Sequence, residues 1–77
     1  MNAKQAVEFV YRNGDGYAKA YAKVWLGTWG SVDAEWIENQ LLYVISNFRS
    51  CRAEGHSNAR RKLKEMLFTA MDGKVPE

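Results

Sequence analysis

The sequence predicts an all-α fold, a small bundle of three or four helices around a long central helix. Three observations carry this. Apolar residues recur at helical spacing in four segments, glycines punctuate the chain between those segments, and Ala and Lys fill the positions that packing does not decide. At 77 residues the chain is one small domain. Its composition, 47% hydrophobic and 26% charged, is that of a globular protein rather than a disordered one.

The first segment runs from Ala3 to Arg12. Asn2 caps its start and Gln5 returns a bond to the Asn2 amide, a variant of the capping box. Ala3, Ala6, Val7, Val10 and Tyr11 share a face. The second segment runs from Gly16 to Leu26, with Asp15 as its cap and Gly27 as its stop. Ala18, Tyr21, Ala22 and Trp25 form its inner side, while Lys19 and Lys23 point outward.

The third segment is the central rod, Ser31 to Ala53. Ser31 is its expected cap, and Asp33 and Glu35 occupy the first turn, where the helix dipole favours carboxylates. Ile37, Leu41, Val44, Phe48 and Cys51 continue one stripe without interruption. At about 1.5 Å per residue such a helix is roughly 35 Å long. The fourth segment runs from Ser57 to Met71, with Ala59, Leu63, Met66, Leu67 and Ala70 inward. Residues 73–77 form a tail expected to fray.

An α+β alternative exists. Val7 to Tyr11 is rich in strand formers, Asn13-Gly14-Asp15-Gly16 is a turn signal, and residues 18–26 alternate. The Ala and Lys content favours two helices over this N-terminal hairpin, which would also need a cover.

Composition also narrows function. The formal net charge of +2 excludes a highly acidic mimic of DNA and is mild for a nucleic-acid binder. A single cysteine forms no internal disulfide. No apolar run approaches the length of a membrane span, and the start lacks the pattern of a secretory signal, so a cytoplasmic location is expected. Asn13-Gly14-Asp15-Gly16 has the middle of a calcium loop but lacks the ligands at its ends, where Tyr11 and Ala22 stand. Cys51 and His56 are too few to hold zinc, and neither has an evident orienting partner for nucleophilic chemistry. Asp33, Glu35 and Glu38 read as a solvated helix start rather than an acid–base pair. No metal, cofactor or catalytic residue is implied, and an enzyme is not expected.

Two features point to binding. Ten residues are aromatic, and Trp36 and Tyr43 lie seven apart on a flank displaced from the stripe of the third segment. Trp25, Trp29, Trp36 and Tyr43 are the candidate partner-binding residues, because Trp and Tyr dominate interface hot spots. A protein partner is expected, or self-association as a homodimer through the third helix. Charge, secondly, is polarised. Residues 28–47 hold three acids and no base, whereas residues 49–64 hold six bases and one acid. Arg49, Arg52, Arg60, Arg61, Lys62 and Lys64 therefore form a candidate basic patch for nucleic acid or an acidic partner. The expected function is a non-catalytic protein-interaction module, an inhibitor or regulator acting by surface occupation. In size and style alone the chain resembles the accessory proteins of phages and mobile elements. No motif specifies a family.

Overall fold

The computed structural model describes residues 1–48 and 53–77. Four helices are present among the described residues: α1 (Ala3–Asn13), α2 (Gly16–Gly27), α3 (Ala34–Asn47) and α4 (His56–Met71). No strand occurs among the described residues, so the N-terminal hairpin alternative is set aside. Each helix packs on its sequence neighbour, and α4 closes back on α1. The core sits between them and is built from Val7 and Val10 of α1, Trp25 of α2, Leu41 and Val44 of α3, Phe48, and Leu63 and Met66 of α4. No helix is long and apolar enough to cross a membrane.

The start of α1 forms as its local sequence dictates. The Gln5 amide N–H donates to Asn2 Oδ1 at 2.8 Å, and the Asn2 N–H donates to Gln5 Oε1 at 2.9 Å. Two helix-end donors are satisfied by this one pair of side chains. Helix α2 buries only Ala18, Ala22 and Trp25. Its small residues let α1 approach, and its one large residue fills the core. The Asp15 side chain makes no capping bond.

The central rod from Ser31 to Ala53 is corrected at both ends. Helix α3 has 14 residues. Its cap is Asp33, whose Oδ1 accepts from the Trp36 N–H at 2.9 Å. Ser31 is consumed in the turn that ends α2, where its N–H donates to the Thr28 carbonyl and Gly30 takes a φ of +86°. Val32 and Ile37, the positions before the cap and four after it, line one small cavity, the arrangement of a hydrophobic staple. At the other end, Phe48 leaves helical geometry with φ −117° and ψ 53°. Its ring turns inward, edge-on to Phe9 at 6.1 Å and 4.6 Å from the ring of His56. The helix yields there because burying Phe48 against α1 and the start of α4 outweighs one further turn. Cys51, the expected end of the stripe, lies outside the described residues.

Helix α4 starts one residue earlier than expected, at His56, after Gly55 with φ +92°. It ends in a Schellman motif. The Lys74 N–H donates to the Thr69 carbonyl and the Gly73 N–H to the Ala70 carbonyl, with Gly73 at φ +80°. This reversal turns the tail back onto the bundle. Within residues 73–77 Pro76 is buried, and the Ala3 N–H donates to the Glu77 carbonyl at 3.4 Å.

Gly55 carries two constraints at once. Its φ is left-handed, and a Cβ added there would stand 3.3 Å from Phe9 Cε2. We expect Gly55→Ala to lower stability by about 1–2 kcal/mol in urea unfolding, the cost of a left-handed non-glycine residue. Lys4→Ala on the exposed side of α1 should change it by less than about 0.5 kcal/mol.

Candidate functional site: an aromatic flank and a divided basic helix

The candidate partner-binding residues separate into two groups. Trp25 is 2% exposed and belongs to the core. Trp29, one turn further, stacks on it at 5.6 Å, and Trp36 meets it edge-on at 6.1 Å. Both are half-buried. Trp25, Trp29, Val32 and Ile37 also line a cavity of about 50 Å³ that Val75 and Pro76 of the tail cover. The three tryptophans therefore tie the end of α2, the start of α3 and the tail together.

Tyr43 is different. It is 54% exposed, and its ring stacks on Tyr21 of α2 at 5.2 Å with 20° between planes. The Tyr21–Tyr43 and Trp25–Trp36 pairs show that α2 and α3 run antiparallel. Helical spacing places Tyr17, Tyr21 and Val24 on the flank of α2 turned to α3. Trp36, Gln40, Tyr43 and Asn47 lie on the facing flank of α3 by the same spacing. Tyr17 is 71% exposed. Tyr17 and Val24 add exposed aromatic and apolar surface beyond the four candidate residues. Their i, i+4, i+7 relation with Tyr21 was the signal for them.

These two flanks carry no charged side chain between the helix ends. Lys19 of α2 lies on the opposite side, its Nζ 5.5 Å from the centre of the Tyr11 ring of α1. Glu35 and Glu38 fall on the outer and α4-facing sides of α3. The result is a strip of Tyr, Trp, Val, Asn and Gln side chains along the α2–α3 seam.

The basic residues of α4 are also divided. Arg60 turns inward: Nη1 donates to the Ile45 carbonyl at 3.2 Å and to the Phe48 carbonyl. It closes the C-terminal end of α3, whose last carbonyls have no partner within the helix. Lys62 is mostly covered and pairs with Glu65 at 3.8 Å. Arg61 and Lys64 remain outward and share a shallow depression with Ser57 and part of the Arg60 side chain. Arg49 and Arg52 lie outside the described residues. The four basic residues of α4 thus hold three different positions, and one of them is structural.

Among the described residues no cluster of three or more His, Cys, Asp or Glu side chains is placed to hold a metal. Comparison with known proteins gives no match: no family model, no curated protein and no solved structure is similar to this chain.

The division of the cations has a measurable consequence. Arg60→Ala removes a charged donor from two carbonyls and should cost about 1.5–3 kcal/mol in equilibrium unfolding. Arg61→Ala, one position along and solvent-facing, should cost less than about 0.5 kcal/mol. Equal effects would show that Arg60 does not cap α3.

Proposed function

We propose that the protein is a non-catalytic protein-binding module that acts through the exposed aromatic flank shared by α2 and α3. The observation that carries this reading is the charge-free aromatic flank formed by Tyr17, Tyr21, Val24, Trp36 and Tyr43. Interface centres are depleted in charge and enriched in Tyr and Trp, and solvated helix surfaces are not. The core is filled by other residues, so Tyr17 and Tyr43 are surplus to folding. Gln40 Oε1, on the same flank, is buried without a hydrogen-bond partner. The mode of action is surface occupation, as in a small inhibitor or regulator of the accessory type.

Nucleic-acid binding through α4 has less support. With Arg60 on the carbonyls of α3 and Lys62 paired to Glu65, Arg61 and Lys64 are the two outward cations of that helix. Those two cations of α4 alone would give a salt slope of only about −1.8, with Arg49 and Arg52 outside the described residues.

The test uses the tagged full chain as bait in extract of its native host. A protein captured by wild type is then titrated against wild type and the Tyr17→Ala/Tyr43→Ala variant. Affinity should fall by at least about 30-fold, the size of a hot-spot loss, while the unfolding midpoint is unchanged. Equal affinity for both proteins would place the binding surface elsewhere.

A further inference from the structure

The slot beside Trp25 is covered by the chain's own tail, and the cover is lightly held. Trp25 of α2, Trp29 and Val32 of the connection and Ile37 of α3 line it, and Val75 and Pro76 lie across it. Trp25 and Ile37 are core residues, so the slot reaches into the bundle. Of the tail, Pro76 is buried, whereas Gly73, Lys74, Val75 and Glu77 are exposed. Among the described residues one hydrogen bond ties residues 75–77 to the bundle, from the Ala3 N–H to the Glu77 carbonyl at 3.4 Å. A cavity of about 50 Å³ remains between cover and walls, so the tail does not fill the slot. Side chains around such a space lack part of their packing contacts.

The cover shows what chemistry the slot accepts. Proline fixes its own φ and holds the residue before it extended, so Val75–Pro76 docks as a strip with little conformational freedom to lose. Aromatic-lined grooves bind extended proline-containing segments for that reason. Here Trp29 stacked on Trp25 supplies the aromatic wall, and Val32 and Ile37 the aliphatic one. No lining side chain is charged, so the slot selects by shape and apolar area. The pivot is equally defined. The Lys74 N–H is bonded to the Thr69 carbonyl, so the strip can swing after residue 74 and leave α4 intact.

We propose that this slot is a binding site for an extended, apolar, proline-containing segment of a partner protein, and that Val75–Pro76 is a strap occupying it in the free chain. Release of the strap gives up one buried proline and one hydrogen bond, while the four helices keep their mutual packing. Openings of that size occur far more often than global unfolding. The tethered strap competes at an effective concentration in the millimolar range, on the order set by a short linker. A partner segment displaces it by binding more tightly than that, most simply by filling the space the strap leaves. The slot shares no residue with the flank of Tyr17, Tyr21, Val24, Trp36 and Tyr43, so the two sites stand or fall separately.

Amide hydrogen exchange of the full chain reads the strap directly. Ala3 is the first residue of α1, where an N–H has no acceptor within the helix, so the Glu77 carbonyl is its protection. In wild type the Ala3 amide should exchange roughly 10- to 100-fold more slowly than an open amide, the factor that burial of one apolar side chain supplies. It should still exchange at least about tenfold faster than the Leu41 amide of the core, because the strap opens alone. Pro76→Gly should abolish the Ala3 protection and leave the helical circular-dichroism signal unchanged. A blocked synthetic peptide with the sequence of residues 72–77 is the ligand probe. It should shift the tryptophan fluorescence of Pro76→Gly with half-saturation near about 1 mM, and bind wild type at least about tenfold more weakly. The same peptide with glycine for proline should produce no shift. The proposal is overturned if Ala3 and Leu41 exchange together in wild type, or if Ala3 is unprotected there. It is equally overturned if Pro76→Gly loses its helical signal, if that variant ignores the peptide at about 10 mM, or if wild type binds the peptide as tightly.

Discussion

Burial of Trp25 is the constraint on which the rest of the bundle depends. Helix α2 offers the core two alanines and one large ring. The alanines allow close approach of α1, and the ring has to supply nearly all the apolar area by which α2 is held. Trp25 in turn organises its surroundings. Trp29 stacks on it, Trp36 meets it edge-on, and the tail closes the cavity beside it. One end of the molecule is therefore an aromatic cluster drawn from α2, α3, their connection and the C-terminal segment. That concentration of tryptophan in structure leaves Tyr11, Tyr17, Tyr43 and Phe68 as the exposed aromatic residues.

The opposite end is held by different means. Phe48 abandons the helix to bury its ring near Phe9 and His56, and the carbonyls that this exposes need donors. Arg60 supplies them from the first turns of α4. A cation at a helix C-terminus is favoured by the dipole as well as by the hydrogen bonds, so this one side chain couples the end of α3 to the direction of α4. Gly55 completes the corner, since its left-handed backbone and missing side chain let the chain pass Phe9. With both ends closed, the large exposed side chains lie along the two flanks of α3: Tyr17, Val24 and Tyr43 toward α2, Leu42, Phe68 and Met71 toward α4.

Local chemistry was legible in the sequence, and long-range chemistry was not. The pairing of Asn2 with Gln5 spans three residues and could be read directly. The helical spacing of the inner faces likewise identified Ile37, Leu41, Val44, Ala59, Leu63 and Met66 as core. The end of α3 was not legible, because the apolar stripe runs on past Phe48 and the arginine that caps the helix stands twelve residues further along. Nor was the tail: Pro76 is buried only because α2 and α3 build a cavity for it to cover. Spacing showed that Trp36 and Tyr43 share a flank. It could not show that Trp36 would lean on Trp25 while Tyr43 stacked outward on Tyr21, since that depends on how α2 lies beside α3. Arg60, Arg61, Lys62 and Lys64 read as one cluster in the chain and separate only once three neighbouring surfaces are in place.

The central claim is that this bundle completes its core without Tyr17 and Tyr43. The urea midpoint of a Tyr17→Ser/Tyr43→Ser double variant tests it most directly. A midpoint and slope matching wild type, within the roughly 0.5 kcal/mol typical of each surface substitution, is the predicted result. A loss of about 3 kcal/mol or more, the size seen when core side chains are truncated, would contradict it and make these rings part of the fold.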